Sequence, residues 1–338
     1  MIISRAPLRI SFFGGGTDYP EHFIRHGGAV LATAIDKYSY VTASPFQSQL
    51  FDYSIRLSYR KGELVKTVDE IEHNVFRECL KYCGLDRDIE LHNVADLPAF
   101  TGLGSSSTFT VSLLHVLHKF KGEDVSAERL AYEAIHIERN LLKDNVGCQD
   151  QTLAAFGGFN LVEFRAEDNI LVQPVQISST RMQDFQDSLF IVYTGITRKA
   201  SDVIVKQIER IGENKKTLAR MRGMVDKGWE ILTGNQSLDK FGELLDEAWV
   251  AKRSLDSNVS NPIIDQMYEI GIKNGALGGK LLGAGGGGFI LFFAPPEAHA
   301  GLEKAFKGRH IIKVSINSLG SEVIFQSDNK KTPLNLVD

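Results

Sequence analysis

Leu97-Pro98-Ala99-Phe100-Thr101-Gly102-Leu103-Gly104-Ser105-Ser106-Ser107 stands between a β-like run at Ile89–Asn93 and a helical pattern that opens near Ser106. Gly102 and Gly104 permit tight turns and close backbone approach, and Ser105, Ser106 and Ser107 bring hydroxyls to the first helical turn. The unpaired N–H groups and positive dipole end of a helix start suit an anion. No Lys-Ser or Lys-Thr follows the glycines, so this is not a Walker A loop. Taken alone, the segment also reads as a plain turn with a serine cap.

Two further glycine segments change that balance. Gly283-Ala284-Gly285-Gly286-Gly287-Gly288 leads into the apolar run Phe289–Phe293. Four consecutive glycines cost the folding chain much entropy, which a mere connector has little reason to carry. Gly14-Gly15-Gly16 follows the strand-like stretch Ile2 to Phe13, with Arg9 before it and Asp18 after it.

Outward from these sites, Ala29–Ala34 and Tyr38–Ala43 read as two short strands, and Ser54–Tyr59 as a third. Val111, Leu114, Leu117 and Phe120 mark one helix. Ser126 caps a second, with Leu130, Ala134, Ile137 and Leu141 on one stripe. Strands return at Phe159–Phe164 and Leu189–Tyr193. Helical segments follow at Ser201–Ile211, Leu218–Leu232, Leu238–Asp256 and Ile263–Asn274, then a helix at Ala298–Phe306 and a strand at Ile311–Ile316. This order predicts two α+β domains, 1–165 and 166–338.

Glu138 emerges beside the apolar side of the second helix, near Ala131, Ala134, Leu141 and Leu142. A carboxylate there needs a cation or hydrogen bonds. Two partners fit: a nearby Arg or Lys, or Mg²⁺, a hard ion that takes oxygen ligands. Asp150, within Gly147-Cys148-Gln149-Asp150-Gln151, sits at a loop-to-helix junction where an isolated Asp reads as a cap.

The 338 residues carry a formal net charge of −4 with no basic run, which gives no footprint for nucleic acid or an anionic membrane. Three cysteines are too few for a disulfide framework. The N-terminal stretch lacks a signal-peptide pattern and no apolar run reaches bilayer length, so a cytoplasmic location is expected. Oligomeric state is not legible.

The three glycine segments, in this order, resemble the three motifs of the GHMP kinases (galactokinase, homoserine, mevalonate and phosphomevalonate kinases). Pro7-Leu8-Arg9-Ile10 through Gly14-Gly15-Gly16-Thr17-Asp18-Tyr19 is similar to motif one, Pro98 through Ser107 to motif two, and Lys280 through Gly288 to motif three. The resemblance implies an N-terminal domain like ribosomal protein S5 domain 2, a C-terminal ferredoxin-like domain, and a site between them. It implies ATP and Mg²⁺ as cofactors. Gly102, Leu103, Gly104, Ser105, Ser106 and Ser107 would form the ATP phosphate loop, with Ser106 and Glu138 as Mg²⁺ ligands. Asp150 would be the catalytic acid–base group beside Arg9. Asp18, Gly15 and Gly16 would meet the sugar, as would Gly285, Gly286 and Gly287.

Gly-Gly-Gly-Thr-Asp at Gly14–Asp18 replaces the Gly-Glu-His-Thr-Asp of galactokinase-like members. That form, and Tyr193-Thr194-Gly195-Ile196-Thr197-Arg198-Lys199-Ala200-Ser201, are similar to D-glycero-D-manno-heptose 7-phosphate kinases, which act on an anomeric hydroxyl. The implied partners are ATP and a sugar phosphate, with Arg198 and Lys199 placed before a helix start where they and its N–H groups could meet the substrate's phosphate. A solvated pair on a loop is the plainer reading of those two. Fucose- and galactose-type 1-kinases stay open as alternatives, as does a non-catalytic sugar- and ATP-sensing protein on the same fold.

Overall fold

β1 (Ile2–Phe13) contains Pro7, which has no N–H for a ladder, and its register against β2 (Gly28–Pro45) shifts between Pro7 and Arg9. The Arg9 N–H instead donates to Leu103 O at 3.1 Å, which ties the strand to the first glycine–serine segment. The computed structural model describes residues 1–165, 169–197 and 201–327. Arg198 and Lys199 lie outside them.

The larger sheet has eight strands. β2 is one continuous strand of 18 residues, not the two short runs its sequence suggests. Its first half, Gly28–Thr33, pairs with β6 (Phe159–Arg165), and its second half, Ser39–Pro45, with β5 (Ile89–Ala95). A strand flanked by different partners along its length has reason to stay extended through Asp36 and Lys37, where an isolated chain would break. β3 (Ile55–Ser58) runs parallel to β5 and antiparallel to β4 (Gly62–Val65).

This sheet does not end at residue 165. β7 (Asn169–Pro174) continues it beside β6, and β12 (Glu322–Gln326) returns to pair with β1. The smaller sheet is antiparallel, in the order β11-β8-β10-β9, from β11 (Ile311–Ile312), β8 (Leu189–Tyr193), β10 (Phe289–Phe293) and β9 (Gly278–Leu281). β11 is far shorter than the Ile311–Ile316 run predicts, because Ser315 and Ile316 turn to Asp36 and Ile35 of the larger sheet.

Helices Asn74–Cys83, Ser105–Phe120 and Ala127–His136 bury their apolar faces against one side of the larger sheet. On the other side, Phe12 and Phe13 of β1 join Phe185, Phe241 and Phe293 in a core shared with the helices Lys215–Thr233 and Asp239–Arg253 and with β10. Ring centroids there lie 4.8–5.6 Å apart, the ordinary spacing of attractive aromatic pairs. Among the described residues no helix is long and apolar enough to cross a membrane.

Candidate active site

The Ser105–Phe120 helix opens on Gly104, a glycine with φ of 79°, and no side chain caps it. Its first intrahelical N–H bond runs from Thr108 to Gly104 O, which leaves the N–H groups of the preceding serines turned into a pocket. Gly102, Gly104, Ser105, Ser106 and Ser107 all line that pocket. Leu103 does not: its side chain is fully buried, and its contribution is the carbonyl that accepts from Arg9.

Facing the helix start is an ion pair. Arg9 Nε and Nη2 donate to Asp150 Oδ1 and Oδ2 at 2.7 and 2.8 Å, and Nη1 donates to Gly102 O at 2.8 Å. The planar fork therefore aligns Asp150 and fastens the glycine loop at once. Asp150 stands in the first turn of the helix Gln149–Phe156.

Asp18 is buried across the pocket, its carboxylate accepting from the N–H groups of Gly16 and Gln149 at 2.9 and 3.3 Å. Burial raises its pKa, those N–H bonds oppose the rise, and the Asp150 charge adds to it. A Cβ at Gly147 would lie 1.9 Å from Asp18 Oδ2, so the loop before Asp150 can pass the carboxylate only as glycine. Gly15 and Gly16 line the same cavity.

Glu138 sits behind this wall. The Ala127 helix, capped by Ser126 Oγ accepting from Arg129 N, runs into a π-helical turn at Ile137–Leu141. The wider turn breaks the phase of the apolar stripe, which leaves Leu141 exposed, and points Glu138 at the Ser105 helix. There its carboxylate accepts from Thr110 Oγ1 at 2.7 Å, Ser107 Oγ at 2.8 Å and Gln151 Nε2 at 2.5 Å. Burial pushes its pKa up to about 7, against those three bonds.

The serine that touches Glu138 is thus Ser107, not the Ser106 that the resemblance implies. Ser107 and Thr110 are three apart and share the inward helix face, whereas Ser106 is exposed on the pocket side. A carboxylate and two hydroxyls stand together here, beside the amide of Gln151, whose Oε1 is buried and unpartnered. The chemistry of that set fits Mg²⁺, and a buried carboxylate with only neutral donors is one that a cation would relieve.

The third glycine segment meets the pocket through Gly283 and Ala284. Gly285, Gly286 and Gly287 do not line it: Gly285 and Gly286 pack on Val259, and Gly287 on Ile196. Two lysines to which the sequence reading gives no role in the site do line it, Lys252 from the Asp239 helix and Lys280, the first residue of the third motif, from β9. Both are buried. Nothing in the local sequence distinguishes Lys252 from a solvated helix lysine, whereas Lys280 sits in a glycine-flanked strand that hints at a covered position.

Family models match two parts of the chain: GHMP kinases N terminal domain over residues 63–158, and GHMP kinases C terminal over residues 230–306. Fold and site together are those of a small-molecule kinase, and the chain belongs to the GHMP kinases. It is 29% identical over 317 residues to a D-glycero-alpha-D-manno-heptose 7-phosphate kinase of Campylobacter jejuni, covering 90% of this chain and 93% of that one. It is 27% identical to an L-fucokinase/L-fucose-1-P guanylyltransferase of Bacteroides fragilis, covering 90% of this chain and 36% of that one. Among solved structures, a D-glycero-D-manno-heptose 1-phosphate kinase from Bacteriodes thetaiotaomicron superposes with a TM-score of 0.79 at 21% identity, over 97% of this chain and all of that one.

Proposed function

We propose that this chain transfers the γ-phosphoryl group of ATP to the anomeric hydroxyl of D-glycero-D-manno-heptose 7-phosphate, giving the 1,7-bisphosphate. The observation that carries the reading is the Arg9–Asp150 fork held opposite an uncapped helix N-terminus in one pocket. Phosphoryl transfer asks a protein chiefly for alignment and charge stabilisation, and this pocket supplies both. The substrate assignment rests on the Gly14–Asp18 segment and on the 29% relative.

In this mechanism the N–H groups of Ser105, Ser106 and Ser107 and the hydroxyls of Ser105 and Ser106, with the backbone of Gly102 and Gly104, hold the nucleotide phosphates. Glu138, with the Ser107 hydroxyl beside it in place of Ser106, would hold Mg²⁺, whose double charge would offset that of the phosphate oxygens. Asp18 accepts hydroxyls of the sugar. Asp150 accepts the proton of the acceptor hydroxyl, using a carboxylate lone pair that Arg9 leaves free. Arg9 keeps that carboxylate oriented through its two N–H donors. Gly15 and Gly16 let the sugar approach the backbone closely, and Arg198 and Lys199 are assigned to its 7-phosphate.

ADP release with MgATP and a set of sugars tests the proposal. Heptose 7-phosphate should exceed the unphosphorylated heptose by at least about 100-fold in kcat/KM, since a site built for a dianion leaves its donors unpaired without it. Equal efficiency on the two, or a preference for fucose or galactose, overturns the heptose assignment. No ADP release above the sugar-free rate with any of them overturns the kinase assignment.

A further inference from the structure

Lys252 has no part in the mechanism above, yet its ammonium lies in the same pocket as Arg9, Asp18 and Asp150. It comes from the last turn of the Asp239–Arg253 helix and is 6% exposed. Each of the other charged groups there is already engaged. Arg9 holds both oxygens of Asp150, and Asp18 accepts two backbone N–H groups. Lys280, equally deep, donates to the carbonyls of Ser11 and Phe12 at 2.8 and 2.9 Å, which pins it to β1.

Lys252 differs. Its Nζ donates to Gly283 O, and among the described residues no carboxylate pairs with it. An ammonium carries three donors, so most of its capacity is unspent. A buried cation without a counter-charge is costly, and a protein keeps one where a ligand supplies the anion. The position of its anchor says where that anion belongs. A Cβ on Gly283 would lie 2.5 Å from Gly102 Cα, so the carbonyl that steadies Lys252 is packed directly on the phosphate loop.

We infer that Lys252 is a catalytic residue of the phosphoryl transfer, its ammonium donating to an oxygen of the phosphoryl group in transit. This rests on the kinase reading above. As the acceptor oxygen bonds to phosphorus, its proton passes to Asp150. The bond from phosphorus to the β,γ-bridging oxygen breaks, and ADP leaves with the electron pair. Lys252 keeps its proton throughout and offsets charge on the moving group, as preorganised cations do in such transfers. The groups that face it are Arg9 from β1, Asp18 from the turn after β1, Asp150 from the Gln149 helix and Lys280 from β9. Burial lowers its pKa to about 8, with Arg9 repulsion adding to the fall and the two aspartates opposing it.

Lys252→Met and Lys252→Arg test the assignment alongside wild type, by ADP release, equilibrium ATP binding and thermal melting. Lys252→Met should lose about 10²–10³-fold in kcat, the usual loss for one charge-stabilising donor. Its ATP affinity should stay within several-fold of wild type and its Tm should be equal or higher. Wild-type kcat/KM should fall as the pH rises through about 8. Lys252→Arg should recover part of the rate and move that alkaline limb upward, because a guanidinium keeps its proton there. A Lys252→Met kcat within several-fold of wild type overturns the inference, and so does parallel loss of ATP binding and stability, which marks a mere prop for Gly283. If wild type itself releases no ADP with any sugar, the kinase reading fails first and this inference with it.

Discussion

Asp150 has both oxygens bonded to Arg9, which at first sight leaves a base with nothing to offer. Each carboxylate oxygen has two lone pairs, however, and the fork uses one on each. What the fork removes is rotational freedom, so the remaining lone pairs point in fixed directions. Asp150→Asn breaks this in two ways: an amide takes up no proton, and its NH₂ turns a donor toward the donating guanidinium. We expect kcat to fall by at least about 10²-fold with ATP affinity within several-fold of wild type. Steady-state kinetics paired with equilibrium ATP binding measures both, and an Asp150→Asn enzyme with near-normal kcat would remove Asp150 from the chemistry. Arg9 and Asp18 are legible in the sequence because they flank the Gly14–Gly16 segment, whereas Asp150, which by itself reads as a helix cap, is singled out only by the family resemblance. Lys252 is not legible, since a lysine at the end of an amphipathic helix looks solvated until the tertiary fold covers it. The choice between Ser106 and Ser107 also escapes a reading of the chain, because one residue on a helix is a 100° turn and the starting phase is set by packing.

At the scale of elements, the helices Ser105–Phe120 and Ala127–His136 carry the site's back wall, and a buried histidine fastens one to the other. His118 Nδ1 bonds Glu123 at 2.8 Å and Nε2 bonds Glu133 at 2.6 Å, while Arg129 holds the second oxygen of Glu133 at 2.7 Å. The bond to Glu133 raises the pKa of His118 above its ordinary 6.5, although burial opposes it and the bond to Glu123 adds to it. A raised histidine pKa contributes stability that is fully present below 6.5 and is lost as pH rises through the folded-state value. Burial pushes Glu133 up, but the bonds from His118 and Arg129 outweigh it, so the carboxylate is ionised throughout the window where His118 titrates. His118→Gln should therefore cost about 1–3 kcal/mol near pH 6, the range for a hydrogen bond to a charged partner, and less near pH 9. Denaturant melts at the two pH values measure the difference, and a pH-independent deficit would mean that His118 acts by shape alone. The helices were readable from their stripes and the Ser126 cap. The π-helical turn was not, because its extra residue is stabilised by what Glu138 meets on the neighbouring helix and leaves no local pattern.

At the scale of the molecule, the two sheets are not independent bodies. Phe12 and Phe13 of the larger sheet share a core with Phe293 of the smaller one, and β12 crosses back to pair with β1. Glycine runs announced that something packs tightly, but only the fold shows that two of them pack on each other. Gly102 would place a Cβ 2.4 Å from Leu282 O, and Gly283 would place one 2.5 Å from Gly102 Cα. The loop that carries Gly102 is thus held by direct backbone contact with a turn nearly two hundred residues away. Neither side has a rotatable group that could yield. Gly283→Ala should force the loop and turn apart and weaken ATP binding by at least about 10-fold, as 1.4 kcal/mol or more of lost loop geometry would do. Part of any stability loss would come only from the backbone, since Gly283 has φ of 76°. Gly122→Ala isolates that part: its φ is 82°, and a Cβ there meets nothing within 4 Å. Gly122→Ala should lose about 1 kcal/mol and bind ATP as wild type does. Gly283→Ala should lose more and bind ATP poorly. Thermal melts with and without ATP compare the pair, and equal ATP affinity in the two variants would show that the glycine seam plays no part in shaping the nucleotide site.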